Sequence, residues 1–199
     1  MNKMKSLLDK YLIIFLALVF AISIATKAVA KSTSQAQSNT IQLIERAEQL
    51  YRAEQYVKAG RVWQQAVTAF EQQSDVLNQA MALSNLALTQ QKLGNLTAAE
   101  TAIISSLELL QTQSNTAPQQ RLLANSLDVK GSIARSLGKS KLAVETWQQA
   151  EAIYRELNDG RAIIKNQINQ AQALQDLGYY RRASKILRSL ILEENRIGS

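Results

Sequence analysis

Glu45 with Glu48, and Glu193 with Glu194, are carboxylates spaced closely enough to divide acid and base roles between them. Nothing in the sequence supports that use. The 199-residue chain has no histidine and no cysteine, which removes Ser–His and Cys–His nucleophilic catalysis, histidine acid–base work, zinc sites of the ordinary ligand types and any disulfide framework. Glu45 and Glu48 stand three apart beside Arg46 and Arg52, the spacing of a solvated helical face whose ion pairs contribute ~0.2–0.5 kcal/mol each. The seven glycines are scattered, and no phosphate-cradling loop is formed. The reading is a non-enzyme with no cofactor and no metal.

What must position the remaining polar groups is a repeated spacing. In the stretch Leu86–Leu107, LALTQQKLGNLTAAETAIISSL, Ala87 is followed by Gly94, Leu96, Ala99 and Ile103. The same order recurs as Ala47, Glu54, Tyr56, Ala59, Trp63; as Gly131, Gly138, Ser140, Ala143, Trp147; and as Ala171, Gly178, Tyr180, Ala183, Leu187. Ala59, Ala99, Ala143 and Ala183 lie 40, 44 and 40 residues apart, a period that belongs to solenoids. Apolar residues at helical spacing on either side of the glycine position predict two antiparallel helices per unit, with Gly94, Gly138 and Gly178 as turn residues. The alanines let the two backbones approach, and Trp63, Ile103, Trp147 and Leu187 fill the space left over. One pair cannot bury both its faces, so neighbours must stack. The predicted fold is all-α, a solenoid of about four helix pairs over residues 41–197.

On these residues the chain resembles tetratricopeptide (TPR) repeat proteins, with repeats near 40–73, 80–113, 124–157 and 164–197. The segments AEQLYRAEQYVKAGRVWQQAVTAFEQQSDVLNQAMALSNLAL and LGKSKLAVETWQQAEAIYRELND are similar to the repeats that precede CHAT peptidase domains in exported cyanobacterial proteins. The catalytic His–Cys pair such a peptidase implies is absent, so only a recognition portion would be retained. Two departures stand out: Glu54 occupies a glycine position, and Pro118, the one proline, does not close a repeat. The residues beyond the usual ~34 per unit are expected in longer helices and in connectors near 74–79, 114–120 and 158–161.

The first 30 residues have the layout of a secretory leader: Lys3, Lys5 and Lys10, then an apolar run from Tyr11, then Ala28-Val29-Ala30. Cleavage is expected between Ala30 and Lys31, giving an exported, periplasmic or secreted protein; the alternative is membrane anchoring by residues 11–26. Residues 31–40 are small and polar and read as a disordered spacer. The chain carries a formal charge of +7. Four lysines and one aspartate of that total lie in the leader, and the remainder is too mildly basic to imply nucleic acid.

The TPR resemblance implies that the first helices of the pairs line a peptide groove. Carried over by position, its members include Tyr51, Met81, Asn85, Leu88, Arg135, Asn169 and Gln172. Asn85 and Asn169 occupy the position where the family uses an amide to hold a peptide backbone, donating to a carbonyl and accepting from an N–H. The implied partner is a protein or peptide. The last helix carries Ile186, Leu187, Leu190 and Ile191 with no further helix to cover them, which predicts self-association through the C-terminal end. Arg181, Arg182, Lys185 and Arg188 on the same helix read as its solvated side, with anionic lipid or phosphate binding as the sharper alternative.

Overall fold

Six of the helix ends close with one recurring turn, and that turn sets the architecture. A single residue takes a left-handed conformation at Glu54 (φ 57°), Ser74 (55°), Gly94 (77°), Gly138 (74°), Asn158 (54°) and Gly178 (78°). The next residue's N–H reaches back five positions, as in Gln55 N to Leu50 O at 2.9 Å, Asp75 N to Phe70 O at 3.0 Å and Tyr179 N to Leu174 O at 2.8 Å. The left-handed residue itself bonds back three positions. This pair of bonds satisfies helix-terminal carbonyls and reverses the chain within three residues. Positions 54, 74 and 94 fall 20 apart, as do 138, 158 and 178, so the turns within a pair and between pairs are the same turn.

The structure is a computed structural model that describes residues 38–112 and 115–197, with side chains as far as Leu192. The leader, its Ala30–Lys31 cleavage site, the 11–26 anchor and residues 31–37 lie outside the described residues. Helix α1 is described over 38–52. Then come α2 (Tyr56–Gln72), α3 (Val76–Lys92), α4 (Leu96–Gln111), α5 (Ala117–Ser136), α6 (Ser140–Glu156), α7 (Gly160–Asp176) and α8 (Tyr180–Ile197). The fold is all-α, antiparallel helices paired and stacked as a solenoid. No described helix is long and apolar enough to cross a membrane.

Two expectations are corrected. Residues 38–40, assigned to the disordered spacer, are already helical; Ser, Asn and Thr suit a first turn, where side-chain oxygens can serve free N–H groups. The connectors expected near 74–79 and 158–161 shrink to three residues, because Asp75 and Asp159 cap the next helices by accepting from Asn78 N at 3.2 Å and Ala162 N at 3.1 Å. The first helices of pairs two to four therefore start at Val76, Ala117 and Gly160, ahead of the repeat boundaries read from sequence. Only the α4–α5 connection departs from the 20-residue step. There Pro118 sits in the first turn of α5, where its missing N–H costs nothing, and Thr116 caps the helix.

In residues 43–199 the repeat columns are the core. The fourth residue of each second helix, Ala59, Ala99, Ala143 and Ala183, is fully buried. The eighth, Trp63, Ile103 and Trp147, is 1–2% exposed, and Leu187 is half-buried. Trp63 and Trp147 occupy equivalent places.

Candidate interaction surface

The first helices α3, α5 and α7 lie side by side, α3 against α5 and α5 against α7. Their shared face is built by one contact used twice. Near the end of α3, Gln91 donates to Ser132 at 2.9 Å and Ser136 at 2.8 Å on α5. The equivalent residue of α5, Arg135, reaches the equivalent residues of α7, bonding Gln172 at 3.2 Å and pairing with Asp176 at 2.6 Å. The guanidinium of Arg135 holds the Asp176 carboxyl below its ordinary range, against slight opposition from burial.

Arg135 and Gln172, expected as peptide contacts, are thus bonded to each other and fasten one pair to the next. Asn169 lies in the same place: with Ser132, Arg135, Ser136, Trp147 and Asp176 it lines a cleft of about 200 Å³ between α5 and α7. It is half-buried, and its amide has no hydrogen-bond partner among the described residues. Met81 and Asn85 are also brought together, but by folding back. The Asn85 amide donates to Met81 O at 3.2 Å and sits 3.1 Å from the Met81 sulfur, so its N–H is already engaged on its own helix. Leu88 is half-buried beside them. Tyr51 makes a different contact, edge-on to Tyr56 with centroids 5.3 Å apart. Burial, and secondarily Tyr56, raise its phenol above the ordinary range.

A buried polar joint between pairs three and four escaped the sequence reading. Tyr154 of α6 is 1% exposed, and its hydroxyl lies 2.8 Å from Asn125 Oδ1 and 2.9 Å from Asp128 Oδ2 on α5. Asn166 of α7, fully buried, donates to Asp128 Oδ1 at 2.6 Å and accepts from Gln170 at 2.8 Å. Gln170 and Gln167 also donate to Glu151 of α6, at 2.6 and 2.7 Å. Burial raises the Asp128 carboxyl, and the bonds from Tyr154 and Asn166 with the charge of Lys165 only partly offset it. Burial also pulls Glu151 up, but there Arg155, Gln167 and Gln170 outweigh it and hold the group low. Tyr154 is pushed far up by burial first and by Asp128 second. One signal could have exposed the joint: Tyr154 stands in the column of Phe70 and Leu110, both buried, so its polar tip needed a partner.

The described face carries hydrogen bonds and an ion pair that join neighbouring first helices. No known protein-family model matches the sequence, and no curated protein matches it. Solved structures do. The chain is similar to BtubC (BKLC) from P. vanneervenii at 17% identity and a TM-score of 0.66, over 77% of this chain and 62% of that one. It is similar to a putative kinesin light chain with nearly identical TPR-like repeats from Podosopora anserina at 17% identity and a TM-score of 0.67, over 78% and 74%. The chain spans less than two thirds of the length of the BtubC structure it matches. At this identity the likeness shows the fold alone, a TPR-like repeat.

Proposed function

We propose that this chain is a non-enzymatic scaffold, exported across the cytoplasmic membrane, which holds an extended segment of a partner protein along the first-helix face. The observation that carries the reading is Asn169: a half-buried carboxamide without a partner among the described residues, in a cleft walled by α5 and α7. Such a group can donate to one peptide carbonyl and accept from one N–H. Arg135 and Asp176 line that cleft, and the bonds of Arg135 to Asp176 and Gln172 tie its two sides together. Tyr51, Met81 and Leu88 supply apolar surface on pairs one and two. Export rests on the Lys3–Lys10 start, the apolar run and Ala28-Val29-Ala30.

The test is peptide-array binding with the full chain, followed by titration of the best peptide. Asn169→Ala should weaken binding about fivefold, the value of a hydrogen bond worth ~1 kcal/mol. Asn85→Ala, whose amide is spent on Met81, should change it little. Unchanged binding in Asn169→Ala moves the site off this cleft. Mass spectrometry of the exported protein should find Lys31 as first residue; Met1 intact in membranes would favour the anchored form.

A second reading rests on the CHAT-like segments: a recognition portion acting for a peptidase encoded separately. An adjacent reading frame supplying the His and Cys that this chain lacks would support it, and cleavage assays on the mixed proteins would test it.

A further inference from the structure

Three second helices present the same face, and it can be compared position by position. On α2, Val57, Gly60, Arg61 and Gln64 form one wall of a cleft whose other wall is Leu86, Gln90, Leu93 and Asn95, from α3 and its turn. On α6 the equivalent residues Lys141, Val144, Glu145 and Gln148 face Leu174, Leu177 and Tyr179, from α7 and its turn. On α8 the equivalents are Arg181, Ser184, Lys185 and Arg188, and they line an open surface with Tyr180 and Leu192. No opposing helix end lies there among the described residues.

The apolar stripe beside this face tells the same story. The twelfth residue of α2 and of α4, Val67 and Leu107, is 7% exposed in each case. The twelfth residue of α6, Glu151, accepts hydrogen bonds from α7, which places that position against the following helix. The twelfth residue of α8 is Ile191, 58% exposed, and Leu192 after it is 70% exposed. The surface is thus shaped and apolar where a helix docks elsewhere in the stack.

Its charge identifies what kind of helix. Arg181, Lys185 and Arg188 form no ion pair among the described residues, and the acidic residues of α8, Glu193 and Glu194, follow the cluster in sequence. Arg182 is engaged differently, lying 5.7 Å over the Tyr179 ring. In the two complete clefts the element facing this cluster's position is the C-terminal end of a first helix, where the backbone dipole is negative. Parallel pairing with a second copy of α8 sets like cations opposite one another, and antiparallel pairing about the middle of Tyr180–Ile197 sets Arg181 against Arg196.

We propose that the free face of α8 docks an amphipathic helix of a partner protein, running antiparallel to α8. Its apolar stripe covers Leu187, Leu190 and Ile191, and its C-terminal half carries carboxylates against Arg181, Lys185 and Arg188. This surface is separate from the first-helix cleft and does not depend on it.

The experiment uses the full chain and a labelled helical peptide of about 20 residues, with leucines on one face and glutamates in its last two turns. Fluorescence anisotropy should show binding that weakens as salt screens the charges. Binding should fall about tenfold in the triple variant Arg181→Gln, Lys185→Gln, Arg188→Gln, and should also fall in Ile191→Glu. Both variants change exposed residues, and circular dichroism should show the wild-type helix content and melting. Equal binding of a peptide with lysines in place of the glutamates overturns the charge assignment; equal binding with the glutamates moved to the first two turns overturns the orientation. Phosphatidylglycerol vesicles bound with the same three-residue dependence, and no peptide binding, would make the face a membrane site instead. A dimer disrupted by Ile191→Glu before peptide is added would make a second copy the occupant.

Discussion

Gly131 of α5 lies directly beneath the indole of Trp147 on α6: a Cβ built on Gly131 would stand 2.6 Å from Nε1, inside any permissible contact. The indole N–H uses this closeness to reach Asp128 O at 3.1 Å. Gly131→Ala is therefore expected to destabilise by about 1–3 kcal/mol through overpacking, although alanine is the better helix former. Gly60, inside α2, is the control. A Cβ there meets nothing nearer than 3.7 Å, so Gly60→Ala should stabilise by about 0.5–1 kcal/mol. Urea unfolding of the two variants checks the opposite signs.

The equivalent tryptophan is held differently. Ala47 stands at the repeat position of Gly131, and the buried Nε1 of Trp63 has no acceptor among the described residues. Trp63→Phe removes an unsatisfied donor along with packed area, whereas Trp147→Phe breaks a bond and leaves the ring position loose. Trp147→Phe should cost more, by about 1 kcal/mol, in parallel thermal melts.

Glu54, Ser74 and Asn158 hold the left-handed conformation that glycine holds at 94, 138 and 178. A side chain in that region costs roughly 1 kcal/mol, less for asparagine. Glu54→Gly and Ser74→Gly should raise stability by about 0.5–1 kcal/mol, Asn158→Gly by less, and the melting temperatures should rank in that order.

Asp128 sets a pH dependence whose sign follows from its raised folded-state pKa. The native chain binds the proton more tightly than the unfolded one, so this group favours folding at low pH and its contribution is lost as pH rises through the folded value. Protonated, the carboxyl can donate to Tyr154, freeing the tyrosine proton for Asn125; ionised, it competes with Asn125 for that single proton. Asp128→Asn can keep the same chain of donors and acceptors without a charge. It is expected to melt higher than the wild type at pH 8 and to lose most of that advantage near pH 4. Glu151 and Asp176 carry the opposite sign, being lowered, and lose their contribution as pH falls. A larger gain for Asp128→Asn at acid pH would contradict the assignment.

The stacking was legible because its residues come in columns. Ala59, Ala99, Ala143 and Ala183 announce a close approach four times over, and all four are buried. The joint around Asp128 was not, since its members fall in columns with no constant residue type: Asn166 shares its column with Gln42, Ala82 and Ser126, and Gln170 shares its column with Arg46, Leu86 and Lys130. Ser74 and Asn158 hid for a related reason: neither type announces a left-handed turn as glycine does, so the short connections between pairs read as longer loops. At the candidate site, spacing within a repeat put Arg135 and Gln172 on the right face but said nothing of which neighbouring repeat each would reach.

The uniform 20-residue turn leaves the interior helices on either side of the 112–116 connection without a preferred partner, because the link to the helix before is built like the link to the helix after. The cooperative element is then the single helix rather than the hairpin. Amide exchange should fade inward from the ends in steps of one helix, with a break in the gradient at the connection where the step changes.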